Sequence, residues 1–199
     1  MTPSRRTVLQ GGLASACAAM TTLPHWSLAS PTSPTNEVSL LVVDDGFAEG
    51  RAFAEETARW NRNVHTISGD VTSLWYRDLH RRWQSATSVI AGLTGYTALF
   101  CLERLAWDAN HRVVIRIDHT RRALGEIEHV VKASASVLSR TDRLPANWGP
   151  AMARLLLTSR IDSRAPRTSR TVRSSSLFSA AWAEPLVSWV IAPKGWAGA

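Results

Sequence analysis

The chain has 199 residues, 45% of them hydrophobic, and a formal charge of +7. Of its two cysteines, Cys17 lies in the N-terminal segment read below as cleavable, so Cys101 alone remains and no internal disulfide is expected. Nearly all the cations are arginines, with lysine only at 132 and 194. No basic stretch is interleaved with aromatics, which speaks against nucleic acid; a solvated arginine-rich surface is the first reading of this charge, and an anionic ligand, a membrane surface or an acidic partner suits an exported protein.

Residues 1–29 read as an export signal. Arg5 and Arg6 form the basic start, Val8 to Leu23 the weakly apolar middle, and Ser27-Leu28-Ala29 supplies small residues for cleavage after Ala29. The middle is too rich in Gly, Ala, Ser and Thr to serve as a transmembrane helix, which needs about 20 predominantly apolar residues. Paired arginines after Ser4, followed by Val8 and Leu9, resemble a twin-arginine signal, with Val8 and Gln10 departing from the commoner Phe and Lys. The resemblance implies passage through the twin-arginine translocase, hence a periplasmic or secreted protein that is folded before export. It also implies that a cofactor or a partner subunit is often acquired beforehand; neither is identified by the sequence. Cleavage leaves about 170 residues with 21 basic against 16 acidic side chains, enough for one domain with one core.

Residues 30–37 form a Pro/Ser/Thr linker, and a single domain is expected over 38–193. Val38 to Val43 is a short apolar run ending in Asp44-Asp45-Gly46, the pattern of a buried parallel strand. An amphipathic helix follows from Phe47 to Trp60. Val64 to Ile67 predicts a second strand, with Asp70 placed to cap a helix from Val71 to about Trp83. Ser88 to Ala91 predicts a third, with Gly92-Leu93-Thr94-Gly95 as the turn into a helix from Tyr96 to about Asn110. Three strand–helix units in succession argue a parallel sheet.

From Arg112 the apolar period becomes two. A hairpin turning at Ala123-Leu124-Gly125 sets Ile117 against Val131, Ile115 against Ala133, Val113 against Ala135, and His119 directly opposite His129. A helical stripe through Leu124, Ile127, Val131 and Leu138 is the competing pattern. Helix is expected again from Pro150 to Leu157, a mobile Arg/Ser-rich loop over 163–176, and a closing strand over Leu186 to Ile191. The fold class is thus α/β, a small three-layer domain with a mixed sheet.

Ligands of open α/β sheets gather at the carboxyl ends of the strands. The residues there are Asp44, Asp45, Gly69, Asp70, Gly92, Thr94 and Gly95, with Gly92 and Gly95 offering close backbone approach and the next helix free N–H groups for an anion. Nothing matches a nucleotide-binding glycine loop. Leu40 to Asp45 is similar to the first strand and acidic pair of response-regulator receiver domains, but the phosphate-accepting Asp and the Lys of that family are missing. His119 and His129 are candidate ligand-binding residues for a metal or an anion; without a third ligand nearby no metal site is assigned. Cys101 and the tryptophans at 60, 75, 83 and 107 read as core.

Two functions follow from these residues. One is a non-enzymatic accessory subunit or binder of a small anion. The other is a small periplasmic enzyme drawing on strand-end Asp, Thr and His.

Overall fold

A computed structural model describes residues 38–60, 62–84, 88–175 and 181–197. The signal residues Arg5, Arg6 and Ala29 and the linker lie outside them. The strands are β1 Val38–Asp44, β2 Val64–Ile67, β3 Val89–Gly95, β4 His111–Arg121, β5 Glu126–Ala133, β6 Thr168–Ser175 and β7 Leu186–Pro193. They form a single mixed sheet in the order β2-β1-β3-β7-β4-β5-β6. β1 pairs in parallel with β2 and β3, whereas β7 is antiparallel to both β3 and β4. The last strand of the sequence therefore holds the parallel and antiparallel halves together.

Helices cover both faces. On one, α1 (Ala48–Ala58) and α6 (Trp148–Thr158) bring Phe53, Trp148, Met152 and Leu156 onto Leu41, Leu93 and Val190. On the other, α4 (Tyr96–Asp108) buries Leu99 and Leu102 against Leu40, Val42 and Trp189. Each such leucine taken out of water contributes about 1.5–3 kcal/mol. Asn110 ends α4 in the left-handed region, at φ 57°, a conformation Asn tolerates better than most residues. Pro150 falls in the first turn of α6, where its missing N–H breaks no helical bond.

The second helix is broken where one continuous helix was expected. Thr72–Leu74 (α2) and His80–Arg82 (α3) flank a π-helical turn, Trp75–Leu79. This turn lets Leu74 and Leu79 both reach the core, each fully buried, while Tyr76 between them is 75% exposed.

The hairpin forms in the expected register, Ile117 opposite Val131 and His119 opposite His129. It is shorter than expected. Pairing stops at Arg116 and Lys132, and Ala135 opens a helical turn, α5 (Ala135–Leu138), in place of facing Val113.

Two further expectations are corrected. Gly92 to Gly95 is no turn but the second half of β3. Residues 168–175, expected to be mobile, form β6, paired antiparallel along the whole of β5. As an edge strand, mostly exposed on both faces, β6 needs no apolar alternation, and its arginines suit an edge that must not recruit another strand.

Candidate functional site

The expected strand-end residues are present along one rim, but most are engaged in holding the rim together. Asp44 is buried and accepts the N–H groups of Gly46 at 3.0 Å and Gly69 at 3.1 Å. Burial pushes its carboxyl pKa up, and the backbone donors offset only part of that. Exposed Asp45 accepts the Ser68 hydroxyl at 2.9 Å. Asp70 is pinned by Thr72, whose backbone N–H donates to it at 2.8 Å and whose hydroxyl adds a second bond; together they lower its pKa.

Gly92 and Thr94 turn out to serve Trp189. A Cβ on Gly92 would stand 2.2 Å from the Val42 carbonyl oxygen and 2.8 Å from the indole of Trp189. Thr94 Oγ1 accepts the Trp189 N–H at 3.0 Å. The free helix start expected after Gly95 is also taken. Glu184 lies across Gly95 and receives both the backbone N–H and the hydroxyl of Thr97, at 2.8 and 2.7 Å. Sequence reasoning missed Glu184; an acid just before a closing strand carries no local signature of a helix cap 87 residues away.

His119 and His129 lie on the opposite face of the sheet from Thr94, beneath α6. Their Nδ1 atoms are 2.7 Å apart, and each Nε2 is 2.8 Å from a serine hydroxyl, Ser188 for His119 and Ser174 for His129. Trp148 lies over His119, tilted by 30°, at 4.1 Å between ring centroids and meets His129 edge-on. Trp182 lies beyond Trp148, donating to buried Glu49, with Arg121 over its ring.

The pair is neutral. Burial drives His129 down to about 4 and His119 well below the ordinary histidine value, with His129 a second, electrostatic cause for the latter. Each neutral ring has one N–H, so the row from Ser174 to Ser188 has a direction: one histidine donates through Nδ1 and accepts its serine's proton at Nε2, and the other does the reverse. Two nitrogens sharing a tetrahedral zinc would stand about 3.4 Å apart, so these rings are bonded directly to each other. Among the described residues no group of three or more His, Cys, Asp or Glu is arranged to hold a metal.

An open site does exist, displaced sideways along the same rim. A groove of about 620 Å³ runs between the π turn and α4. Asp70 stands at its mouth, Trp75 and Tyr76 form one wall, and Phe100, Cys101 and Arg104 form the other. Cys101 is exposed on this wall, contrary to the expected burial. The apolar stripe of α4 runs through Ala98, Leu99, Leu102 and Ala106, and residue 101 falls just outside it. Trp83 is core as expected, but Trp60 and Trp107 are 38% and 43% exposed. Of the expected strand-end residues, Gly69 and Asp70 line this groove. No helix among the described residues is long and apolar enough to cross a membrane.

Comparison with protein-family models, curated proteins and solved structures gives no match for this chain.

Proposed function

We propose that the protein is an exported, periplasmic binding protein without chemistry of its own, either a small-anion binder or an accessory subunit, folded before it leaves the cytoplasm. The groove between the π turn and α4 is its binding surface. The observation that carries this reading is the contrast between that groove and the rim beside it. Asp44, Thr94 and the histidine pair are committed to bonds within the fold, while Tyr76 and Phe100, which line the groove, are 75% and 46% exposed. Its volume is in the range of small-molecule sites, roughly 300–1,000 Å³, and π turns are frequent at functional positions.

The alternative, a small periplasmic enzyme, draws support from Asp44 alone. It is a buried carboxyl of raised pKa at a strand end. Thr94 and the two histidines cannot join it in one pocket, because they face opposite layers of the sheet.

The test is native recovery of the protein from the cells that make it, followed by mass spectrometry. The expected result is a mature chain starting at Ser30, in the periplasmic fraction, with a small molecule or a second subunit retained. An unprocessed chain confined to the cytoplasm would overturn export. A processed chain that loses its companion when Tyr76→Ala is introduced would tie that companion to the groove.

A further inference from the structure

We infer that the groove selects a planar aromatic monoanion, its ring held between the walls and its carboxylate or equivalent acid on Arg104. This rests on the reading of the groove as the binding surface and adds the class of ligand. Arg104 is the first support. Its guanidinium lies 4.3 Å from the Trp107 ring and 5.2 Å from that of Phe100, and among the described residues no carboxylate is paired with it. Most arginines of the other hollows do pair with carboxylates: Arg154 and Arg59 share Glu56, Arg116 meets Asp118 and Glu103, and Arg173 meets Glu126 and Glu128. Arg167, the exception, donates to the Val113 carbonyl. A cation held over two rings, with no carboxylate paired to it, at the edge of an apolar slot is suited to an acid carried on an aromatic body.

The second support is the shape and lining of the slot. Trp75 and Tyr76 line it from the π turn and Phe100 from α4, so aromatic side chains border it on both sides. The third is the distribution of charge along it. Asp70 follows Gly69, whose N–H donates to the same Asp44 carboxyl that takes a backbone bond from Gly95, the residue before α4; Arg104 is seven residues beyond Thr97, about 10 Å down the helix axis. The groove thus has an acid at its mouth and a base at its far end. Asp70 is kept ionised by its two bonds from Thr72. A ligand with acids at both ends would bring one of them against Asp70, so a single charge is selected.

Cys101 lies between the two ends on the α4 wall and supplies a reporter that needs no label. Purified protein is treated with iodoacetamide in the presence of 2-naphthoate, its neutral analogue 2-naphthalenemethanol, or naphthalene-2,6-dicarboxylate, and modification of the Cys101 peptide is followed by mass spectrometry. The expected result is that 2-naphthoate slows alkylation at concentrations about tenfold lower than either analogue, as one charge-assisted contact would give. Arg104→Gln, an exposed substitution, should erase the advantage over the alcohol, and Asp70→Asn should restore binding of the dicarboxylate. Equal protection by acid and alcohol in the unsubstituted protein would overturn the assignment of an anion while leaving the groove as a binding surface. Failure of every compound to protect Cys101 would overturn both.

Discussion

His119 and His129 face each other across β4 and β5 with their Nδ1 atoms 2.7 Å apart, under the indole of Trp148. That contact requires one bare nitrogen, so it survives only while the pair holds no more than one extra proton. In the unfolded chain both rings take up protons near pH 6.5, whereas in the fold His129 does so only near 4 and His119 is held well below its ordinary value by burial and by His129. The unfolded state therefore binds more protons between these values, and stability must fall as the pH drops through that window. For His129 alone the loss is on the order of 3 kcal/mol. Asp44, with its raised pKa, works in the other direction and recovers part of it. Urea denaturation at pH 7.5, 5.5 and 4 should show a plateau above about 7 and a steep loss below 6.5. A flat profile would mean that the pair is not buried and neutral.

Gly92 and Thr94 should behave as partners of Trp189. Gly92→Ala forces a methyl into the Val42 carbonyl and the indole, and is expected to cost about 3 kcal/mol or more. Thr94→Val keeps the shape but leaves the indole N–H without its acceptor, for about 1–3 kcal/mol. Thermal unfolding of the two variants measures both. If instead Thr94→Val folds as well as the parent and only ligand binding suffers, the functional role first read from the sequence would be reinstated.

Leu124 sits at the hairpin tip with φ 60°, fully exposed. A branched apolar side chain gains nothing there and strains the backbone by roughly 1–2 kcal/mol. Leu124→Asn should raise stability by about 1 kcal/mol, read as a higher denaturation midpoint with an unchanged slope.

The strand β6 contains two trypsin sites, Arg170 and Arg173, whose backbone is paired with β5. In the folded protein both should be cut only as fast as the sheet opens. Immediate cleavage at residue 170 or 173 under native conditions would show that the edge is unpaired.

The sheet was legible where side chains had to report their surroundings. β1 is apolar almost throughout because both of its faces are covered, and the hairpin register could be read because Ile117 and Val131 must share the buried face. β6 was illegible for the opposite reason: it is held through its main chain and its residues, mostly wet on both sides, carry no period. Gly92 and Gly95 misled because glycine marks turns and tight packing alike; here one admits Trp189 and the other Glu184. Of the candidate site, the position at the strand ends was readable, but the groove was not. Its walls depend on a π turn and on the rotational phase of α4, which place Tyr76, Phe100 and Cys101 outward. Neither leaves a distinct mark in a helical pattern.

β7 is last in the chain and fourth of seven in the sheet. On the ribosome, the three parallel strands and the three antiparallel strands β4, β5 and β6 are made first, each set with an open edge where the other half should be. They can be joined only once residues 186–193 have been synthesised, so completion of the sheet comes after nearly the whole chain has emerged. Any N-terminal address is thus on display long before there is a finished body to carry. A transport route that admits only folded cargo would have to wait for the final strand, and a chain truncated before it would offer that route two unjoined half-sheets.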